Sequence, residues 1–150
     1  MTVMMDAEAL NAFLARDFPQ VAGSYRVEQV EETRLVARLV TEEEHLRPGG
    51  TVSGPSMFAL ADLAIYCAIL ARIGPVALAV TTNASIDFMR KPAAGRDLLA
   101  ECRLLKLGRV LAVAEVLIFS EGQVEPVARC SMTYSIPPKP RESVGVRYGI

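Results

Sequence analysis

Apolar and polar residues alternate along most of this chain, and the alternation stops in one place. From Asp6 to Phe18 the apolar residues Leu10, Phe13, Leu14 and Phe18 recur at helical spacing and Pro19 supplies a stop, so the segment predicts a short amphipathic helix. Tyr25 to Val30 and Arg34 to Val40 alternate about Glu31-Glu32-Thr33 as the arms of a hairpin do. Glu42 to Gly54 is polar and rich in Gly and Pro, the composition of a loop. Residues 55 to 71, Pro-Ser-Met-Phe-Ala-Leu-Ala-Asp-Leu-Ala-Ile-Tyr-Cys-Ala-Ile-Leu-Ala, then form an almost wholly apolar run broken by one charge, Asp62, and Gly74-Pro75 ends it. Val76 to Met89, Leu98 to Leu107, Val110 to Phe119 and Val124 to Ile136 read as four strands. Their turn signals are Lys91-Pro92-Ala93-Ala94-Gly95, Gly108-Arg109 and Glu121-Gly122. With connections this short, an antiparallel meander of the four is the simplest arrangement.

Wound at about 3.6 residues per turn, the apolar run has no polar face, which marks a buried helix. It begins with Pro55, carries Asp62 and meets Arg72, so it is too short and too interrupted for a comfortable membrane span. A long apolar helix followed by an antiparallel sheet is best buried when the sheet curls around it. The fold class expected is therefore α+β, with an antiparallel sheet wrapped around a long central helix. One short sheet does not hide such a helix on every side. The N-terminal helix and a second copy of the chain are expected to cover the rest, as a homodimer or a dimer of dimers. Residues 1–137 are expected to form a single domain, with the Pro- and Arg-rich stretch 138–150 as an exposed extension.

Asp62 is the residue that points to function. Phe58, Ala59, Ile65, Tyr66 and Ile69 lie beside it on the helix, and an ionised carboxylate in such surroundings costs several kcal/mol unless it is paired, hydrogen-bonded, protonated or open to water. Asp62 lies about two turns into the helix, too deep to cap its start. A working group is the reading favoured over a hydrogen-bonded strut. Met57, Phe58, Tyr66 and Met89 are candidates for an apolar tunnel, with ordinary core the favoured reading.

Composition narrows the chemistry. The net charge of −1 argues against sequence-independent nucleic-acid binding, which demands a basic surface. Residues 90–150 nevertheless hold ten bases against six acids, so Arg90, Lys91, Arg96, Lys106 and Arg109 are either a basic patch for a small anion or the solvated ends of strands. Cys67, Cys102 and Cys130 are scattered and odd in number, as reduced core thiols are. The first residues show neither a basic lead nor an apolar core of signal length, so a cytoplasmic location is expected. His45 is the one histidine, read as a loop residue, and no cluster of ligands suggests a metal.

The order of elements and the segment Gly50-Thr51-Val52-Ser53-Gly54-Pro55-Ser56-Met57-Phe58-Ala59-Leu60-Ala61-Asp62 resemble the hotdog-fold acyl-CoA thioesterases of the phenylacetyl-CoA thioesterase type. That family carries a Gly-x-x-His-Gly-Gly turn, a buried helix, and an Asp or Glu at the position of Asp62. Thr81-Thr82-Asn83-Ala84-Ser85-Ile86-Asp87-Phe88-Met89-Arg90-Lys91-Pro92 is similar to its "sidFlrP" strand, and Gly108-Arg109 to the hairpin before its next strand. The resemblance covers about residues 30 to 136. It implies an acyl-CoA thioesterase whose sites form between subunits, Asp62 of one chain facing the Gly54 N–H of the other, with Thr81 near the attacking water. Two positions depart from the pattern: Ser53 stands for the usual His, and Pro55, which lacks an N–H, for the second Gly.

Chemistry reaches a similar arrangement from the residues themselves. Thioester hydrolysis needs donors aimed at a developing oxyanion and a base or nucleophile opposite. Gly54, at the helix N-terminus, offers an unsatisfied amide in a favourable dipole, and Asp62 offers the base or nucleophile. Eight residues of helix separate them by about 12 Å at 1.5 Å per residue, too far to serve one carbonyl, so the pair must come from two helices. Ser53 is a candidate helper with its hydroxyl. Arg90, Lys91, Gly108 and Arg109 are candidates to hold coenzyme A phosphates, coenzyme A being part of the substrate and no cofactor or metal being expected. The alternative is a protein of the same fold that binds an acyl-CoA or related ligand without turning it over, which Ser53 and Pro55 would favour.

Overall fold

The computed structural model describes residues 3–75 and 78–138. Helix α1 (Ala7–Asp17) starts at Asp6, whose side chain accepts from the Ala9 N–H at 2.9 Å, and ends at Phe18. Pro19 does more than stop it, because proline at a first helical position opens the one-turn helix α2 (Pro19–Ala22). Strands β1 (Tyr25–Val30) and β2 (Arg34–Leu39) form the predicted hairpin. Helix α3 (Gly54–Ile73) runs one residue further at the start and two further at the end than the apolar run. Gly74 closes it with a φ of 90°, a conformation that L side chains rarely adopt. Strands β3 (Val80–Phe88), β4 (Leu98–Leu107), β5 (Leu111–Ser120) and β6 (Ala128–Ser135) follow. Residues 76 and 77 of the predicted third strand, and the expected extension beyond Pro138, lie outside the described residues.

All six strands form one antiparallel sheet in the order β1-β2-β4-β5-β6-β3. The four-strand meander is therefore corrected: β4, β5 and β6 are consecutive neighbours, but β3 pairs with β6 and not with β4. The physical reason is that β2 already occupies the other edge of β4, from Arg34↔Arg103 to Leu39↔Leu98. The Lys91–Gly95 segment is accordingly part of a crossing connection and not a hairpin turn. A predicted strand start also moves, since Gln123 to Val127 turns before β6 begins at Ala128.

The sheet wraps α3, whose residues Leu60, Ala61, Ala64, Ile65, Cys67, Ile69 and Leu70 are fully enclosed. This is the one described helix long and apolar enough to cross a bilayer, and its apolarity is accounted for by burial against the sheet. One stripe stays open. Pro55 is exposed, and Gly54, Phe58, Ala59 and Asp62 are only partly buried, a spacing that keeps them on one face of α3. Beside it, the helix-facing residues of β3 are also uncovered: Ala84 and Phe88 are exposed and Ile86 is half-buried.

Candidate active site

Asp62 lines a cleft of about 540 Å³ together with Phe18, Tyr66, Thr81 and Tyr134. Its Oδ1 accepts two hydroxyl hydrogen bonds, from Thr81 Oγ1 at 2.5 Å and from the Tyr134 phenol at 2.6 Å. The phenol oxygen also lies 3.0 Å from the Asp62 carbonyl oxygen. A phenol has one proton, and the shorter contact to an ionised acceptor is the stronger claim on it. Oδ2 has no protein donor, and no cation pairs with the carboxylate, among the described residues.

Strand register brings the two hydroxyls together. Thr81 and Tyr134 are cross-strand partners, so both side chains leave the same face of the sheet and reach one carboxylate oxygen. Tyr134 shares its face with Ala128, Cys130 and Met132. A bulge between Thr81 and Asn83 sets the phase of β3, so that Thr81 faces the helix while Ala84, Ile86 and Phe88 do so beyond it. Burial, and then the charge of Asp62, hold the Tyr134 phenol far above its ordinary titration range, which keeps it a neutral donor. Tyr134 was not legible as a site residue from spacing alone. The available signal was a phenol in phase with a buried strand face, since a buried Tyr hydroxyl needs a partner.

The other candidates fall into two groups. At the start of α3, Ser53 is the N-cap: its Oγ accepts from Ser56 N at 3.3 Å and lies 3.0 Å from Ser56 Oγ, to which it donates. Met57 N donates to the Ser53 carbonyl at 3.1 Å and Pro55 has no N–H, so Gly54 keeps the one first-turn amide without an acceptor among the described residues. A Cβ on Gly54 would meet the Phe88 ring at 3.2 Å, so the backbone approaches that ring more closely than a side chain comfortably allows. Neither Ser53 nor Gly54 lines the Asp62 cleft of its own chain. His45 is a buried strut of the preceding loop. Its Nδ1 accepts from Glu42 N at 2.9 Å and its carbonyl from Ser53 N at 2.8 Å.

The basic candidates are not gathered within one chain. Arg90 is held by Glu125 at 2.7 Å and by the Pro126 carbonyl at 2.8 Å, and Lys91 beside it is exposed. Gly108 and exposed Arg109 sit in the β4–β5 turn, next to Leu111↔Ser135 and so at the opposite end of the sheet. Arg96 bonds the Glu121 carbonyl at 2.8 Å. Of the tunnel candidates, Tyr66 lines the cleft, whereas Met57 is core and Met89 is exposed.

Residues 49–127, which contain Ser53, Gly54, Asp62 and Thr81, match the model of the thioesterase superfamily over just more than half of the chain. The chain belongs to the thioesterase superfamily. Its class is thus that of a thioester hydrolase, and its wrapped helix is the hotdog fold. It is similar to a solved candidate thioesterase from Silicibacter sp. TM1040, 58% identical over 92% of this chain and 96% of that one, with a TM-score of 0.86. A phenylacetic acid degradation protein, PaaI of Thermus thermophilus, solved as a single-site mutant, is 28% identical over 79% of this chain and 99% of its own, with a TM-score of 0.68. A candidate esterase of Pseudomonas aeruginosa is 29% identical over 115 residues, 77% of this chain and 84% of that protein.

Proposed function

We propose that this thioesterase hydrolyses an acyl-CoA to a carboxylic acid and coenzyme A, with Asp62 of one protomer as base or nucleophile and the Gly54 N–H of its partner polarising the carbonyl. The observation that carries the reading is the state of Asp62: one oxygen is fixed by two hydroxyls, the other lacks a protein donor among the described residues, and the residue borders a cleft. A strut sealed in the core would need both oxygens engaged by protein donors. Thr81 fixes the carboxylate in this reading, and Ser53 serves by capping the helix that presents Gly54.

The free edge of β3 explains how two chains complete a site. Within one chain, Asp62 is tied to Thr81 near the start of β3, and Gly54 lies against Phe88 at its end. Their β6 partners Tyr134 and Ala128 are six residues apart, so about 20 Å of strand separates these ends. Antiparallel pairing of two β3 edges about a two-fold axis reverses one strand against the other, and so sets the partner's Gly54 opposite Asp62. The same operation brings the partner's Arg90 and Lys91 toward the end where Gly108 and Arg109 sit, one patch for the coenzyme A phosphates. It also covers the open stripe of α3 and the bare face of β3.

The test uses a panel of acyl-CoAs with a thiol reagent. Asp62→Asn keeps the shape, removes the basicity and is expected to lower turnover by several orders of magnitude. Mixing Asp62→Asn chains with Gly54→Pro chains, each inactive alone, is expected to restore activity, because the hybrid contains one site with both groups intact. Undiminished turnover in Asp62→Asn would refute the assignment, and inactive hybrids would refute the shared site.

A further inference from the structure

One wall of the cleft is built by the α1–α2 junction, which lies outside the stretch matched by the family model. Phe18 is the large apolar residue there. Its N–H donates to the Leu14 carbonyl at 2.9 Å and its carbonyl accepts from Val21 N at 3.1 Å, so two helices fix where its ring stands. Three aromatic rings follow one another from the carboxylate outward. Tyr134 holds Asp62, Tyr66 lies 6.5 Å from Tyr134, and Phe18 lies 6.1 Å from Tyr66, edge-on at 87°. Tyr66 and Tyr134 are almost wholly enclosed, whereas Phe18 remains 36% exposed at the cleft.

We propose that Phe18 is the end wall of the acyl cleft and sets the longest acyl group this protein takes, a chain of medium length. The inference rests on the thioesterase reading above. A carbonyl placed at Asp62 sends its alkyl chain past Tyr66 before it meets Phe18. Two ring-to-ring steps of 6.5 and 6.1 Å, laid end to end, match at most an extended chain of roughly ten carbons, at about 1.3 Å per carbon for C–C bonds of about 1.5 Å. The 87° contact leaves at least one face of the Phe18 ring clear of Tyr66 for the end of such a chain, and the cleft volume falls in the range of small-molecule sites. Phe18 touches neither Asp62 nor the Gly54 amide in this scheme. It is a specificity residue and takes no part in the chemical step.

The experiment measures binding of non-hydrolysable S-alkyl-CoA thioethers of increasing chain length by calorimetry, beside kcat/KM for the matching acyl-CoAs. Wild-type affinity is expected to rise with length to about eight to ten carbons and then fall. Phe18→Ala is expected to move that break three or four carbons longer. Each methylene newly accommodated is worth about fourfold, so the ratio of long-chain to medium-chain kcat/KM rises by tenfold or more, mainly through KM. Phe18→Trp, which keeps an aromatic wall, moves the break shorter and supplies the reading if the alanine variant folds poorly. A break that stays in place in the variants, or an equal loss at every length, overturns the proposal, as does a wild-type protein that binds no thioether. Length-dependent thioether binding without thiol release from any acyl-CoA would instead overturn the hydrolytic reading and leave the length limit standing.

Discussion

Replacing Tyr134 by Phe removes one hydroxyl and leaves the ring. Tyr134 is 3% exposed and its ring keeps its place beside Tyr66, so the variant loses one donor and almost no volume. The bond lost is the 2.6 Å contact to Asp62 Oδ1, a hydrogen bond to a charged group worth about 1.5–3 kcal/mol. Thr81 still satisfies the same oxygen, so the net stability cost is expected to be about 1–2 kcal/mol, a fall in Tm of roughly 3–8 °C for a domain of this size. The kinetic cost has another origin. With one donor left, the carboxylate is free to turn about its remaining bond, and kcat is expected to fall by about 10- to 100-fold with KM within about threefold.

A thermal melt measures the stability cost, and thiol release at saturating acyl-CoA measures the fall in kcat. The decisive assay is a double-mutant cycle with Asp62→Asn. If Tyr134 serves the reaction by fixing Asp62, then Tyr134→Phe changes the residual kcat of the Asp62→Asn protein by less than about twofold. Full additivity of the two substitutions would show that Tyr134 acts by another route. Wild-type kcat in Tyr134→Phe alone would show that the hydroxyl plays no part in positioning.

Arg38 joins β2 to Glu28, Asp97 and Glu121, and Arg38→Met is expected to cost about 1–3 kcal/mol at pH 7 in urea unfolding, since the partners are partly solvated. The hydrogen bond from Arg38 holds Glu28 below its ordinary value of 4.5. Its contribution is therefore present above that pH and is lost as pH falls through the lowered folded-state value, so the gap between wild type and Arg38→Met narrows on acidification. Burial pushes the Cys67 thiol up to about 12 and Cys130 to about 11, and raises Cys102 as well. Native protein at pH 8 is expected to give no reaction with a disulfide thiol reagent during a hydrolysis assay, and three thiols per chain after guanidinium; prompt labelling of the native chain would refute the enclosed placement.

The wrapped helix was legible because its signal is redundant: an apolar run, Pro55 at its start and Gly74-Pro75 after it. Asp62 was legible because a charge on a buried helix has few explanations. The position of β3 was not, because strand order depends on which edges are already taken, and the claim of β2 on β4 is made by residues about 65 positions apart. The pairing of Thr81 with Tyr134 was hidden by the bulge in β3. Thr81 and Ala84 differ by three positions, so a strict period of two puts them on opposite faces, and one extra residue returns both to the helix side. The basic residues looked like one patch because sequence carries no sense of which end of a sheet a turn occupies. Arg90 and Arg109 in fact flank the two ends.

The departures at residues 53 and 55 acquire a joint meaning once the first turn of α3 is counted donor by donor. A helix start offers amides that a ligand can use only if the chain has not used them already. Here Pro55 removes one, and Ser53 consumes two, through its hydroxyl on Ser56 N and its carbonyl on Met57 N. What remains is the Gly54 N–H, backed by the dipole of a 20-residue helix and kept close to the Phe88 ring by the absence of a side chain. Serine and proline are thus compatible with a single-donor oxyanion site, in which the polarising group is one amide and not a pair. On that reading the histidine of the family pattern is not missing from the carbonyl's surroundings so much as exchanged for a cap that fixes where the one remaining donor points.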